Sequence, residues 1–415
     1  MAQPSTVPVS AAGRAVRQAS LREHNLALVL RHIATAGRPP SRADLAVATG
    51  LTRATVSALV DDLITGRLLN EVDPAPRTGA GRPALGLVLA SNGPTGLGLE
   101  VNVDYLAACL VDLAGAVRHR ALRRVDLRPV PPLDALALVS ELIAEAGAEA
   151  DRQGLVLAGT ALAVPGLVTS TGVVRLAPNL GWRDVDVPAV LGDHPALAGR
   201  GLSVDNEANL AALGELRVAP PASANFIYIS GEVGIGAGIV LHGALFRGAR
   251  GWSGEIGHVP VHPEGRACRC GGRGCLEQYA GQESILAAAG LTGAAGLAGV
   301  AITRLVEAAD RGTPTACRAL AQAGTALGVA IAGVINLLDV DTVVLGGVYA
   351  RLARWLCPPV EAEIRRRVLT AAWSPVTVRP AQLGGDAAVL GAAGSAVRSV
   401  LEQPAHWLAR DTRPA

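Results

Sequence analysis

The feature that most constrains the fold of this chain is a cysteine-rich segment past its middle. It holds Cys268, Cys270 and Cys275, and the glycines between them let the backbone fold three thiolates around one metal ion. One imidazole, from either His258 or His262, completes a tetrahedral Cys3His ligand set, and the spacing does not choose between them. Because four protein ligands leave no position for water, the sequence predicts one structural Zn²⁺ per chain. The alternatives are three reduced structural thiols or a redox pair.

Composition excludes several classes of protein. The chain has 415 residues, 50% of them hydrophobic and 17% charged, which fits two or three packed domains rather than a disordered chain. All 37 basic residues are arginine, so a phosphate-loop lysine, a Schiff-base lysine and a pyridoxal-phosphate enzyme are excluded. No apolar run is long enough to span a membrane, and residues 1–20 lack the pattern of a signal peptide. We therefore expect a cytoplasmic protein with no membrane contact.

The start of the chain carries the pattern of a winged helix-turn-helix domain, predicted over residues 20–90 after a flexible tail at 1–19. In three successive short segments, apolar residues recur with the period of an α-helix. Ser41 and Thr52 are placed as the N-caps of the second and third of these helices. Two strand-like segments then flank a basic, glycine-rich tip at 77–83, which is typical of a wing. A helical hairpin used for dimerisation is the alternative.

The charge of this segment favours DNA as its partner. Residues 1–90 contain ten arginines and six acidic residues, a net charge of +4, whereas the whole chain carries only +2. Small and hydrogen-bonding side chains at the start of the third helix suit base edges in the major groove, and the wing arginines suit phosphate or the minor groove. The predicted contacts with double-stranded operator DNA are Ser41, Arg42, Thr52, Arg53, Ala54, Thr55, Ser57, Arg77 and Arg82.

Beyond residue 96, strands and helices alternate, which predicts an α/β body of parallel sheets covered by helices. A strand pair near 98–113, a helix near 133–152 and a strand near 156–164 come first. Short β-rich segments follow at 225–230 and 342–345, with a long alanine-rich helix between about 315 and 337.

Taken together, these segments resemble the ROK family of repressors, open reading frames and kinases. The resemblance rests on Glu255-Ile-Gly-His258 and on the run Cys268-x-Cys270-Gly-x-x-Gly-Cys275-x-Glu277, and it covers nearly the whole body. It implies a two-lobed, actin-like body of the ribonuclease-H type over residues 97–400, with a zinc loop at 258–277. It also implies that His258 rather than His262 binds the zinc, and that the head is that of the family's transcriptional repressor branch.

The same resemblance implies the residues of a sugar site. Five of them fall on positions that bind sugar hydroxyls in the family: Asn179, Asn206, Glu255, His258 and Glu277. Glu207 is the sixth predicted sugar-binding residue, and it stands where the family's kinases carry the catalytic aspartate. Carboxylates and amides suit such a site because each bonds a pair of neighbouring hydroxyls. For Asn179 or Asn206 alone, an amide that caps a turn is the structural alternative.

Three departures from the family's kinases predict that phosphorylation is lost. Residues 100–105 lack both glycines of the phosphate loop, and Asp104 puts a carboxylate where a hydroxyl meets phosphate. Glu207 is longer than aspartate by one methylene, which displaces the carboxylate by about 1 Å, and such a misplacement costs on the order of 100-fold in rate. Val233 replaces a hydroxyl residue in the second phosphate loop.

The sequence therefore predicts a sugar-responsive transcription repressor that binds a monosaccharide effector without phosphorylating it. The family forms dimers or dimers of dimers, so we expect a homodimer or homotetramer on a palindromic operator. Two alternatives belong to other classes. One is an active ATP-dependent hexose kinase with a DNA-binding head, and the other is a zinc or redox sensor whose cysteine cluster is itself the switch.

Overall fold

A computed structural model of the chain describes residues 18–73, 85–197, 200–219, 224–291 and 298–411. By internal contacts the chain divides into two compact units. The first, here called the head, comprises residues 1–90 together with 399–415. The second, here called the body, comprises residues 91–398.

The head is built on short helices and one strand pair. Its first elements are α1 (Gln18–Thr35), α2 (Arg42–Thr49), α3 (Arg53–Thr65), β1 (Leu69–Val72) and β2 (Gly86–Leu89). The helices enclose an apolar core in which Leu30, Val56 and Leu63 have no exposed surface. Strands β1 and β2 pair antiparallel, as the strands of a wing do. The predicted helix-turn-helix fold is thus confirmed, and the wing tip at 77–83 lies outside the described residues.

Local capping fixes the turn between α2 and α3. Ser41 accepts a hydrogen bond from the Asp44 N–H while Asp44 accepts one from the Ser41 N–H, which forms a capping box at the start of α2. Gly50 ends α2 in the left-handed conformation, and Thr52 caps α3 by accepting from the Thr55 N–H. The chain bends by 118° between the two helices, an angle typical of a helix-turn-helix.

The first lobe of the body centres on a five-stranded sheet. The elements of this lobe are β3 (Pro94–Val101), β4 (Tyr105–Asp112), β5 (Val117–Arg124), α4 (Pro132–Arg152), β6 (Val156–Val164), β7 (Leu167–Val168), β8 (Val173–Ala177), β9 (Trp182–Asp186), α5 (Val187–Leu191), β10 (Leu202–Asn206) and α6 (Glu207–Val218). The strand order is β5-β4-β3-β6-β10. Strands β3, β4 and β5 pair antiparallel, whereas β6 and β10 run parallel to β3. A small antiparallel sheet, β7-β8-β9, lies beside it.

The second lobe repeats this plan. Its elements are β11 (Phe226–Gly231), β12 (Ile235–Leu241), β13 (Ala244–Phe246), α7 (Glu277–Ala280), α8 (Gln282–Ala288), α9 (Ala298–Asp310), α10 (Pro314–Leu338), β14 (Thr342–Gly347), α11 (Val348–Arg367), β15 (Thr377–Pro380) and α12 (Ala387–Glu402). The strand order is β13-β12-β11-β14-β15. The first three strands again pair antiparallel, and the last two run parallel to the first. Two sheets of the same order and direction are the plan of the predicted two-lobed, ribonuclease-H-type body.

Helices α6 and α12 contact both the sheets and each other at glycines. A β-carbon on Gly98 of β3 would lie 2.1 Å from a carbonyl oxygen of α12, and one on Gly238 of β12 would lie 2.4 Å from a carbonyl oxygen of α6. The two helices meet at Gly391, where a β-carbon would lie 1.8 Å from another carbonyl oxygen of α6. Because a side chain fits at none of these positions, the sheets and the helices approach to backbone contact.

Helix α10 is the one single helix in the described ranges that is long and apolar enough to cross a membrane. However, 56% of its most apolar 18-residue stretch is buried inside the protein. Leu320, Leu327 and Ile331 have no exposed surface, and the helix packs along α11. This is how the core helix of a globular domain is buried.

The last helix, α13 (Pro404–Asp411), belongs to the head. Trp407 is buried, and its indole N–H donates a hydrogen bond to the Gly66 carbonyl oxygen at the end of α3, at 3.1 Å. The side chain of Leu408 also lies against Gly66. The predicted boundaries ended the body at residue 400 and assigned no role to the residues that follow, so the sequence missed this part of the head.

Replacing Trp407 with alanine should lower the free energy of unfolding of the head by about 3 kcal/mol, because a buried indole and its hydrogen bond are lost. Scanning calorimetry of the full-length protein measures this change. The matched control is Trp373→Ala, since the Trp373 side chain is 79% exposed, and it should change stability by less than about 0.5 kcal/mol. Equal effects of the two substitutions would show that α13 does not stabilise the head.

Candidate functional site

The start of α3 presents a polar, accessible surface. Thr52, Arg53 and Ala54 are exposed, and Thr55 and Ser57 are partly exposed. The Thr52 and Thr55 hydroxyls bond each other at 2.8 Å. This surface has the small and hydrogen-bonding side chains that the sequence predicted for contact with base edges. The predicted wing residues Arg77 and Arg82 lie outside the described residues.

Two other predicted DNA contacts already have partners inside the head. Ser41 forms the capping box of α2. The Arg42 guanidinium bonds Asp61 Oδ1 at 2.8 Å and Glu71 Oε1 at 2.9 Å, which ties α2 to α3 and β1. A phosphate contact from Arg42 would therefore have to replace these carboxylates.

Four potential metal ligands lie together in the cysteine-rich segment. His258 and the three cysteines Cys268, Cys270 and Cys275 have ligand atoms that all lie within 4.8 Å of one another. His258 Nδ1 is 3.9 Å from Cys268 Sγ, and Cys270 Sγ is 3.7 Å from Cys275 Sγ. Tetrahedral zinc places its sulfur and nitrogen ligands roughly 3.5–3.8 Å apart, so this donor set has the size that a zinc ion requires.

The fold of this segment also distinguishes the two histidines. The His262 ring stacks against Tyr279, with ring centroids 4.7 Å apart, and it is not part of the four-residue cluster. Gly274 has a φ of +70°, and a β-carbon there would lie 1.6 Å from the His262 carbonyl oxygen. The backbone of His262 therefore packs against Gly274, while the imidazole of His258 turns towards the thiols.

Polar side chains of both lobes meet at the turn between β11 and β12. A β-carbon on Gly234 would lie 2.9 Å from Glu277 Oε2 and 3.1 Å from Asn179 Nδ2. Asn179 comes from the loop between β8 and β9, and Glu277 begins α7. A carboxylate and an amide this close can bond two neighbouring hydroxyl groups of one ligand.

Glu255 extends this polar group towards the cysteine-rich segment. Gly254 precedes it with a φ of +103°, and a β-carbon there would lie 1.9 Å from the Ala237 carbonyl oxygen, so only glycine brings the chain this close to β12. Burial raises the pKa of Glu255, the charge of His258 opposes this shift, and the charge of Glu277 adds to it. Glu255, His258 and Glu277 therefore act on one another electrostatically.

Asn206 is largely committed to the fold. Its Oδ1 caps α6 by accepting from the Ala208 N–H at 2.8 Å and the Asn209 N–H at 3.3 Å. Its Nδ2 donates to the Gly166 carbonyl oxygen at 3.0 Å. This is the capping role that was the alternative for this residue, and one amide N–H is left for a ligand.

Glu207 begins α6 as a buried carboxyl group. Its Oε2 has no hydrogen-bond partner among the described residues. Burial raises the pKa of Glu207 to about 8, and the negative charges of the nearby Glu255 and Glu100 add to this shift. Burial likewise raises the pKa of Glu100, at the end of β3, to about 7. At neutral pH, Glu207 is therefore mostly protonated, whereas Glu100 is protonated in about half of the molecules.

The comparison with protein families identifies both parts of the chain. Residues 96–398, which include the converging polar side chains and the cysteine-rich segment, match the model of the ROK family. The chain belongs to the ROK family. Residues 25–73 match the IclR helix-turn-helix domain. The predicted family and the predicted combination of a helix-turn-helix head with a sugar-kinase-like body are thus confirmed.

Individual relatives of this ROK protein include regulators and kinases. The xylose repressor of Bacillus subtilis (strain 168) is 29% identical over 375 residues, which cover 90% of this chain and 95% of that protein. The crystal structure of a ROK family transcriptional regulator, described as a homolog of E. coli Mlc, has a TM-score of 0.75 at 28% identity and covers 94% of this chain and 99% of its own. A ROK family glucokinase from Streptomyces griseus, solved with glucose and AMPPNP, has a TM-score of 0.62 at 26% identity and covers 73% and 99%.

One acidic residue near the ROK site was missed by the sequence analysis. Glu232 follows β11 inside the glycine-rich turn, and its carboxyl group interacts with those of Glu100, Glu207 and Asp104. Asp104, the carboxylate that was predicted to oppose phosphate, is partly exposed. A charged residue between glycines directly after a buried strand was the available signal for Glu232.

The stability of this ROK protein should decrease as the pH rises from about 5 to about 9. Folded Glu207 and Glu100 hold their protons up to pKa values of about 8 and 7, whereas the unfolded chain releases them near 4.5. Between these values the folded state binds more protons, so every rise in pH favours unfolding. The thermal midpoint of the full-length protein should fall by several degrees over this range.

The control for this pH dependence is Glu207→Gln, which keeps the shape of the side chain and removes its titration. Between pH 5 and pH 9, the thermal midpoint of this variant should fall clearly less than that of the wild-type protein. A wild-type midpoint that is flat or rises with pH would contradict the assignment of raised pKa values to this pair.

Proposed function

We propose that this ROK protein is a sugar-responsive, DNA-binding transcription repressor whose body binds a monosaccharide, or a derivative of one, without phosphorylating it. The observation that carries the proposal is the combination in one chain of a helix-turn-helix head, with the polar start of α3 exposed, and a ROK body in which Asn179 and Glu277 converge. The name of the B. subtilis relative, a xylose repressor, supports the same function.

Operator DNA binds the head through the start of α3. The exposed Thr52, Arg53 and Ala54 enter the major groove, and the wing arginines follow the backbone. The protein acts as a homodimer or homotetramer, because two heads with twofold symmetry match a palindromic operator. A protein that regulates transcription in this way is cytoplasmic.

The effector occupies the polar group of the body and is not phosphorylated. A general base must be deprotonated to accept the proton of a sugar hydroxyl. With a pKa of about 8, the Glu207 carboxyl is mostly protonated at neutral pH. The body therefore keeps the groups that bond hydroxyls and lacks a base poised for transfer of phosphate.

DNA binding tests the proposed function. The wild-type protein is first used to select a binding duplex from a random DNA library, and the affinities of the variants for that duplex are then measured. Arg53→Ala should weaken binding about ten-fold or more, because one charged contact to DNA is lost. Arg67→Ala, which removes another exposed arginine, beyond the end of α3, is the control and should change affinity by less than about three-fold. Fluorescence anisotropy measures both affinities.

The same complex tests the response to sugar and the absence of turnover. D-xylose, D-glucose or N-acetyl-D-glucosamine should change the DNA affinity at least several-fold, and none of them should be phosphorylated when ATP and Mg²⁺ are supplied. The glucokinase of S. griseus makes an active kinase the second candidate. Steady production of ADP with any of these sugars would establish that candidate and refute a purely regulatory body.

We further propose that His258, Cys268, Cys270 and Cys275 hold one structural Zn²⁺. The bound ion would fix the backbone of the segment that carries Glu255 and Glu277, and it would supply no open position for a substrate.

Metal analysis of the purified protein should find about one zinc per chain. Cys268→Ser should lose most of this zinc and lower the affinity for the sugar, because a thiolate ligand is removed. Cys317→Ser, which changes a cysteine on α10, should keep the zinc and serves as the matched control. A protein that is metal-free and still binds sugar with full affinity would contradict the zinc proposal.

A further inference from the structure

One segment of the second lobe reaches across to the first lobe beside the residues proposed to bind sugar. This segment, residues 247–254, lies between β13 and Glu255, and we call it the strap. It contacts the first lobe at two points, which are the Asp205 side chain near the end of β10 and the Val168 carbonyl oxygen at the end of β7. The strap therefore joins the two lobes next to the proposed sugar site.

The first contact is an ion pair between Arg247 and Asp205. Arg247 Nη2 lies 2.7 Å from Asp205 Oδ2, and the Asp205 side chain is only 14% exposed. The other oxygen of this carboxylate, Oδ1, accepts hydrogen bonds from the Asn206 N–H at 2.8 Å and from Asn209 Nδ2 at 3.0 Å. By holding one oxygen of Asp205, Arg247 fixes the orientation of the carboxylate that holds the backbone of Asn206.

The second contact is a hydrogen bond from Trp252. Its indole N–H donates to the Val168 carbonyl oxygen at 3.1 Å. Two residues before Val168, the Gly166 carbonyl oxygen accepts a hydrogen bond from Asn206 Nδ2 at 3.0 Å. The short piece of chain that holds the Asn206 amide is thus itself held by the strap.

The strap is closed on itself and anchored at its end. The Ser253 N–H donates to the Arg247 carbonyl oxygen at 3.3 Å, and the Ala237 N–H of β12 donates to the Gly254 carbonyl oxygen at 2.8 Å. Glu255 follows Gly254 directly. The position of Glu255 is therefore coupled to the same strap that holds the surroundings of Asn206.

These contacts matter for a ligand that bonds residues of both lobes. Such a ligand has to find Asn206 and Glu255 at one separation. Fixing that separation before the ligand arrives raises the affinity, because less conformational freedom is lost on binding.

We propose that Arg247 and Trp252 are positioning residues of the sugar site, which hold the two lobes at the separation at which Asn206 and Glu255 bind one ligand. The two residues act through Asp205 and Val168 and do not touch the sugar. This inference rests on the proposed function and deepens it, because it assigns part of the affinity for sugar to contacts between the lobes.

Titration calorimetry of the full-length protein with D-xylose, D-glucose and N-acetyl-D-glucosamine tests the proposal. For the sugar that binds best, Arg247→Ala should weaken binding about five- to ten-fold, because Asp205 loses a charged partner. Arg247→Lys should bind that sugar within about two-fold of wild type, since an ammonium group can replace the single N–H that Asp205 accepts. Arg250→Ala removes another exposed arginine of the strap. As the control, it should change the affinity by less than about two-fold.

Two further measurements separate positioning from a general loss of stability. Binding of an uncharged sugar does not itself depend on salt, whereas a partly exposed ion pair is screened by it. Raising the NaCl concentration from about 0.05 M to about 1 M should weaken sugar binding by the wild type about two-fold, and this dependence should vanish in Arg247→Ala. Trp252→Phe keeps an aromatic ring but removes the N–H donor, and it should weaken binding about three-fold or more.

Hydrogen exchange measured by mass spectrometry tests the strap without any sugar. In Arg247→Ala the Asn206 amide should exchange several-fold faster than in the wild type, because the carboxylate that accepts its hydrogen bond is no longer held. In Arg250→Ala the exchange of this amide should be unchanged.

The outcomes distinguish this inference from the proposed function. If Arg247→Ala and Trp252→Phe bind the sugar as tightly as the wild type, the inference is wrong and a sugar-responsive repressor remains. If Arg247→Lys loses as much affinity as Arg247→Ala, the ion pair does not position the site. If the wild type binds none of the sugars, the proposed function fails, and unchanged exchange of the Asn206 amide in Arg247→Ala would then overturn the inference as well.

Discussion

The site of the body depends on backbone contact between its sheets and the helix pair α6 and α12. Gly98, Gly238 and Gly391 leave no room for a side chain at these contacts, so the sheets approach the helices as closely as their backbones allow. Strands β3, β10 and β11 therefore end close to one another, and side chains that follow them are brought together from both lobes. A single larger residue at one of these contacts would displace a lobe and enlarge the site.

This close approach has an electrostatic cost that the protein accommodates by holding protons. Glu100 and Glu207 lie where burial disfavours a charged carboxylate, and this burial raises their pKa values to about 7 and about 8. Neutral carboxyl groups donate as well as accept hydrogen bonds.

The sequence predicted those features that depend on short spacing. The caps of α2 and α3 and the grouping of the three cysteines follow from neighbouring residues, and the structure contains them. The choice of His258 over His262 did not follow from the spacing and came only from the family resemblance. The roles of Arg42 and Asn206 could not be predicted in the same way. A sequence shows which hydrogen-bond donors and acceptors exist but not which partners they bond. Arg42 is held by Asp61 and Glu71. The contact of Trp407 with Gly66 joins residues that are far apart in the chain, and no local sequence pattern predicts such a contact.

The head takes residues from both ends of the chain, and the boundary between the two units falls inside α12. In topological terms the body is an insertion into the head rather than a module appended to it. Recombination with one crossover near residue 90 would import a foreign helix-turn-helix without the α13 that packs against it. Proteins built in this way are therefore expected to acquire new operator preferences by point substitution along α3, and to inherit both termini together.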